Sequence, residues 1–179
     1  MVTGMNSDRE HQGWLQGKLL LASNQLRDSF FEQTVIGIIE HTDDGTVGFI
    51  LNKPSDVLVG DVLDPVPVPL RDTDPVFVGG PVQLEHAIGV TDGEDEALPG
   101  LALVDLRETE RDPEPRLRVY AGYSGWDAGQ IEWEIGMESW LVVEAVADDF
   151  FTEQPLTLYE RIAERCGYDP SPGPDPLLN

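Results

Sequence analysis

Residues 34–53 read T-V-I-G-I-I-E-H-T-D-D-G-T-V-G-F-I-L-N-K. Two β-branched, apolar runs, 34–41 and 46–53, flank the turn sequence T-D-D-G at 42–45. An Asp-Gly pair between two such runs is a strong short-range signal for a β-hairpin. Both runs are almost continuously apolar, so the spacing predicts two interior strands covered on both faces. The fold is therefore built on a sheet with antiparallel pairs at its heart.

Outward from the hairpin, residues 18–22 predict a short buried strand, and 23–33 a connection in which Asp28-Ser29 starts a helical turn holding Phe30 and Phe31. Lys53-Pro54 ends the second hairpin strand, because proline cannot donate to a ladder. Ser55 or Asp56 then has the character of a helix cap, predicting a short helix through Leu63. Residues 64–75 carry four prolines and read as a surface loop. Strands are expected at 75–78, 83–90 and 101–106, with a Gly79-Gly80-Pro81 turn after the first and charged loops at 91–97 and 107–115. Residues 116–123 alternate, with Leu117, Val119 and Ala121 on one face and Arg118 and Tyr120 on the other, the pattern of a half-buried strand.

That strand feeds A-G-Y-S-G-W-D-A-G-Q-I-E-W-E-I at 121–135. The stretch reads as a strand-to-helix corner, with Gly122 and Gly125 permitting the turn and Asp127 and Gln130 at capping-box spacing. Trp126 and Trp133 are expected to be buried against the sheet, Ile131 and Ile135 to face inward, and Glu132, Glu134 and Glu138 to face water. A strand at 140–145, a helical turn at 148–153 and an amphipathic helix at 155–166 complete the pattern. Leu156, Leu158 or Tyr159, Ile162 and Cys166 form that helix's inward face. The organisation expected is a flexible leader (1–13), one domain (14–168) and a proline-rich flexible tail (169–179).

A chain of 179 residues suffices for a real hydrophobic core without disulfide or metal staples. Its single cysteine excludes an intramolecular disulfide and a multi-cysteine metal cluster, and Cys166 is expected to be buried and inert. With 34 acidic and 11 basic residues the formal net charge is −23. Such a field repels phosphate backbones and anionic membranes and leaves room for a cationic protein partner. The first apolar run, 19–22, is too short for a secretory core or a membrane span, so the expected location is the cytoplasm.

Candidate chemistry is sparse. Ser124 in G-Y-S-G-W resembles a nucleophile elbow, but the second glycine of G-x-S-x-G is replaced by Trp126, and both domain histidines precede the serine. Acid clusters near His41, His86 and residues 92–96 lack a metal-ligand spacing, so no metal and no cofactor is expected. The Gly79-Gly80-Pro81 turn can form a backbone nest for an anion but lacks the lysine and hydroxyl of a phosphate loop.

Several separated segments together resemble the YqgE/AlgH family of small bacterial proteins. They are K-L-L-L-A-S (18–23), L-R-D-S-F-F-E-Q-T-V (26–35), E-H and its D-G turn (40–45), V-G-F-I-L-N-K-P (47–54), V-F-V-G-G-P-V-Q (76–83), the 121–135 stretch, and W-L-V (140–142). The resemblance implies an α+β fold, a mostly antiparallel barrel-like sheet flanked by a few helices. It also implies a transcriptional-regulator role linked to exopolysaccharide synthesis, with no agreed biochemical activity. A chain so acidic is a poor direct reader of DNA, so regulation is expected to run through a protein partner. The small-molecule ligand, where one exists, is not specified.

Two readings follow. The first is a non-catalytic interaction or ligand-binding module, with Asn52, Lys53, Gly79, Gly80, Gln83, Gly122, Gly125, Trp126 and Gln130 around a shared surface. The second is a hydrolase-like enzyme in which His41 or His86 serves as general base beside a carboxylate within a pocket.

Overall fold

A computed structural model describes residues 13–92, 101–108 and 116–171. All of the expected leader but Gly13, most of both charged loops and residues 172–179 of the tail lie outside that range. Among the described residues nine strands are formed: β1 (Leu19–Ala22), β2 (Val35–Thr42), β3 (Gly45–Ile50), β4 (Pro54–Leu58), β5 (Pro75–Val78), β6 (Val82–Asp92), β7 (Leu101–Val104), β8 (Leu117–Asp127) and β9 (Trp140–Val143). The helices are α1 (Val59–Val62), α2 (Gln130–Gly136), α3 (Ala147–Phe150) and α4 (Leu158–Cys166). The main sheet order is β4-β5-β8-β3-β2-β1-β9, with β6 paired to β8 and β7 paired to β6. Every pairing is antiparallel except that of β5 with β8, and the mixed sheet curls into a half-barrel, an α+β architecture.

The hairpin is as its sequence predicts. Residues 42–45 join β2 to β3 and the pair sits inside the sheet, with Val35 to Ile38 and Gly48 to Ile50 buried. β8 is the strand that organises the rest. Its first half pairs with β6 and β5, while its second half pairs with β3. It is also covered on both faces, correcting the half-buried expectation. Tyr120 is in the main core between Phe49 and Phe77, whereas Val119 packs with Val59 and Val76 in a second core.

The change of partner along β8 depends on a close approach of backbones. Gly79 and Gly80 lie directly against the 122–124 segment, where a methyl group on Gly80 would overlap the Tyr123 carbonyl and the Ser124 nitrogen. Gly122 has φ +68°, and a Cβ there would meet the Val82 and Gly80 carbonyl oxygens at 2.6 and 2.7 Å. Glycine alone fits both the conformation and the space. The Gly79 carbonyl accepts the Ile50 N–H at 2.9 Å and the Ser124 hydroxyl at 3.0 Å, so β3, β5 and β8 are knotted at one oxygen.

Several expectations are corrected. Residues 54–58 are an edge strand rather than the start of a helix, because the Ser55 hydroxyl donates to the Val76 carbonyl across the pair instead of capping. The short α1 begins at Val59, with the Asp61 carboxylate accepting the Leu58 N–H at 3.1 Å. β8 continues through Ser124 and Gly125 to Asp127, so the helix starts after Gly129 rather than at a Gly122–Gly125 turn. Leu156 is 75% exposed and Cys166 is exposed; the α4 inward face is Leu158, Tyr159, Ile162 and Ala163. The Tyr159 hydroxyl fixes that face by donating to the Ala22 carbonyl at 2.6 Å.

Gly80→Ala is expected to lower stability by about 3 kcal/mol or to prevent folding, since a rigid backbone must move to admit the methyl. Gly136→Ala, where a Cβ meets nothing within 4 Å, is expected to be neutral or stabilising by up to ~1 kcal/mol. Urea unfolding of the two variants checks the contrast.

Candidate functional site

The second half of β8, helix α2 and β9 build a tied aromatic cluster. Glu134 points from α2 toward the sheet, and its Oε2 accepts the indole N–H of Trp126 at 3.0 Å and of Trp140 at 2.8 Å. Its Oε1 accepts from the Gln130 amide at 3.0 Å, and the Gln130 carbonyl accepts the Asp127 N–H at 3.0 Å. Gln130 therefore reaches back as its spacing predicts, although the Asp127 side chain does not cap. Phe31 stacks on Trp126, with centroids 6.4 Å apart, and meets the Trp140 ring edge-on at 5.5 Å.

The expectation that Glu134 faces water and Trp133 faces the core is thus inverted. α2 is only seven residues long, and its rotation is set by two indoles that need an acceptor when buried. Trp126 is 6% exposed and Trp133 is 67% exposed. A second carboxylate holds the same helix. Glu132 Oε1 lies 3.2 Å from Nε2 of His41, whose Nδ1 is 2.7 Å from the Thr46 hydroxyl. His41 is 4% exposed and also meets the Trp14 ring edge-on. The histidine thereby pins α2 to the β2–β3 hairpin.

The remaining sequence-derived residues divide into groups. Asn52 is a backbone clip, its Oδ1 accepting from Val35 and its amide donating to the Gln33 carbonyl, both at 2.9 Å. Lys53 rests its ammonium 4.0 Å above the Phe30 ring, and partial burial pushes its pKa down. Asn52 and Lys53 share a small cleft of about 230 Å³ with Glu32 and Glu160. The neighbouring rings of Phe30 and Phe31, 5.3 Å apart, carry the contact from Lys53 on to Trp126. Gly79, Gly80 and Gly122 are buried behind this, at the corner already described, with their surroundings filled by backbone. Gly125 and Gln83 are exposed, and Gln83 lies 3.3 Å from Nδ1 of the exposed His86. Ser124 is fully buried and donates to Gly79. Among the described residues no three His, Cys, Asp or Glu side chains converge as a metal site would require.

A larger cleft lies elsewhere, with a volume of about 840 Å³. It runs between the first half of β8, the end of the 64–75 loop and residues 152–157, over a floor that includes Phe77 and Leu117. Arg118 is the cation on its β8 side. Its guanidinium donates to the Phe150 carbonyl at 3.3 Å and the Thr152 carbonyl at 3.0 Å, and stacks 4.1 Å from the Phe77 ring centre. Neither His41 nor His86 lines this cleft or the 230 Å³ one. Sequence reasoning passed over Arg118, whose only signal was a charge on an otherwise apolar strand.

The architecture is a curled α+β half-barrel with an aromatic cluster at one end of β8 and an arginine-bordered cleft at the other. A family model described as DUF179, AlgH-like, matches residues 19–171. The UPF0301 protein of Mycobacterium avium (strain 104) is 34% identical over 163 residues, covering 83% of this chain and 81% of that protein. UPF0301 protein Rv0038 of Mycobacterium tuberculosis (strain ATCC 25618 / H37Rv) is 35% identical over the same length. Among solved structures, protein DIP2367 from Corynebacterium diphtheriae superposes with a TM-score of 0.71 at 27% identity, over 90% of this chain and 88% of that one. The AlgH protein from Pseudomonas aeruginosa gives 0.68 at 25% identity, over 98% and 100%. The chain belongs to the AlgH-like family.

The buried and the exposed tryptophan make a direct comparison. Trp126→Ala is expected to cost about 3–5 kcal/mol through lost packing and the loss of one of the two indole donors to Glu134, whereas Trp133→Ala should stay within ~0.5 kcal/mol. Denaturant midpoints of the two variants measure this.

Proposed function

We propose that the protein is a non-catalytic interaction module of the cytoplasm that acts through a cationic protein partner, and that the outer face of α2 is where the partner docks. One observation carries the reading: Trp133, two-thirds exposed, stands on a helix whose inner face is fastened by Glu132 to His41 and by Glu134 to two indoles. A large aromatic side chain held on a rigid mount has little entropy left to lose on binding, the character of an interface anchor. Met137, one turn on and 51% exposed, extends the same stripe. The exposed acids Asp127 and Glu138 flank it in sequence, on a chain of net charge −23, so complementarity favours a basic segment with an apolar residue for Trp133. Nucleic acid has no part in this reading, for the same electrostatic reason.

A cytoplasmic setting is consistent with a single cysteine, and no helix among the described residues is long and apolar enough to cross a membrane. The enzymatic alternative rests on His41, which has a carboxylate within 3.2 Å but is buried away from the larger clefts. The hydrogen bonds of His41 serve the mounting of α2 instead.

A photo-crosslinking amino acid at position 137, in cells expressing the full chain, is expected to capture one protein through a Lys/Arg-rich peptide. Capture should fall at least about tenfold when Trp133→Ser is added, matching loss of a central aromatic anchor, and should weaken as salt is raised in lysate. Crosslinks to acidic peptides, or capture indifferent to Trp133, would overturn the proposal.

A further inference from the structure

We propose that the 840 Å³ cleft between β8 and residues 152–157 binds a small amphipathic anion, an aliphatic body ending in a carboxylate or phosphate head, with Arg118 holding the head. The argument starts from charge pairing. Arg71, Arg107, Arg116 and Arg165 each pair with an aspartate. Arg27, Arg118 and Arg161 pair with none among the described residues, and of these three Arg118 alone lines the cleft, its partners being two backbone carbonyls and the Phe77 and Phe151 rings. A guanidinium offers five N–H donors in a fixed fork, so donors remain after two carbonyls are served.

The surroundings add to this. The carbonyls and ring hold the fork rigid before any ligand arrives, which lowers the ordering cost of binding. The Tyr120 hydroxyl, buried on the same side of β8 and outside the cleft lining, faces Arg118: burial pushes its pKa up and the neighbouring guanidinium opposes this. The cleft itself has the size typical of small-molecule sites, and Leu70, Leu117, Pro155 and Leu156 give it an apolar lining. Two acids border it. Asp74 is already paired with Arg71, and Glu153 is exposed at the lip. The remaining negative charge of the protein acts weakly here, because exposed charges are screened beyond roughly 8 Å at physiological ionic strength.

The test titrates the full-length protein with octanoate, octyl phosphate and octan-1-ol, read by amide chemical shifts and calorimetry. At least one of the two anions is expected to bind with shifts centred on residues 117–119 and 152–157. It should bind about tenfold or more tightly than the alcohol, the worth of one charge-assisted hydrogen bond. The preferred head tells carboxylate from phosphate. Arg118→Gln should bring the anion down to the affinity of the alcohol. Should that variant fail to fold, Leu156→Glu, which leaves every Arg118 hydrogen bond in place, should weaken the anion several-fold while circular dichroism is unchanged. Equal affinity for alcohol and anion, shifts centred elsewhere, or no saturable binding of either anion would overturn the proposal. So would binding confined to peptides with a free C-terminus, which would make the ligand a protein.

Discussion

The contact on which the structure depends is the approach of Gly79-Gly80 to the backbone of residues 122–124. β8 can serve β6 and β5 with its first half and β3 with its second only if the connection from β5 to β6 passes over it without side chains between. The buried Ser124 hydroxyl completes the junction by donating to the carbonyl that also receives the Ile50 amide. A buried carbonyl with two donors has both lone pairs used, so the knot carries no unpaired polar group. What reads as a nucleophile elbow in one dimension is, in three, a crossing point of strands.

From this crossing the two ends of β8 acquire different chemistry. At the C-terminal end, Trp126 is buried and demands an acceptor, and Glu134 of the following helix supplies it together with the acceptor for Trp140. Both indoles therefore decide which face of α2 turns inward, and Trp133 is left outside as a consequence. At the N-terminal end, the half-buried Arg118 donates to the carbonyls of residues 150 and 152, which fix one wall of the large cleft. Positions 118 and 126 lie on opposite sides of Gly122, whose φ of +68° interrupts the extended run, and they pair with different strands, so the two regions are separate surfaces on one strand.

What the sequence revealed follows from how local each cause is. The hairpin was legible because its turn residues and its apolar runs are adjacent, whereas Gly122 and Gly125 signalled a geometric need but not which one: Gly122 serves a strand crossing, and the turn into α2 comes at Gly129. Residues 54–58 were misread because Ser55 has the same hydroxyl whether it caps a helix or, as here, bonds across a strand pair to Val76. The rotation of α2 was misread because a seven-residue helix carries too few apolar positions to fix its phase, and its anchors lie partly outside it, at Trp126, Trp140 and His41. Of the residues expected to share a surface, Trp126 and Gln130 meet at Glu134 and Asn52 meets Lys53, while Gly79, Gly80 and Gly122 work inside the sheet. The cleft was invisible because it joins Arg118 to a segment more than thirty residues downstream.

The acidity of the chain acquires a more specific meaning once the pairs are placed. Among the described residues two arginines are spent on aspartates at element junctions, Arg165 on the buried Asp149 between α4 and α3 and Arg116 on Asp92 between β8 and β6. A surface ion pair such as Arg116–Asp92 contributes little, on the order of 0–1 kcal/mol, so it orients its junction more than it stabilises it. The uncompensated negative charge is left as a long-range field, which repels anionic polymers and attracts basic proteins. Against that background an arginine that lines a cleft without a carboxylate and a tryptophan without cover are departures from the pattern of the rest. Local departures that folding itself does not require are where binding chemistry is to be sought, which is why Arg118 and Trp133, rather than the glycine-rich corner, carry the functional argument.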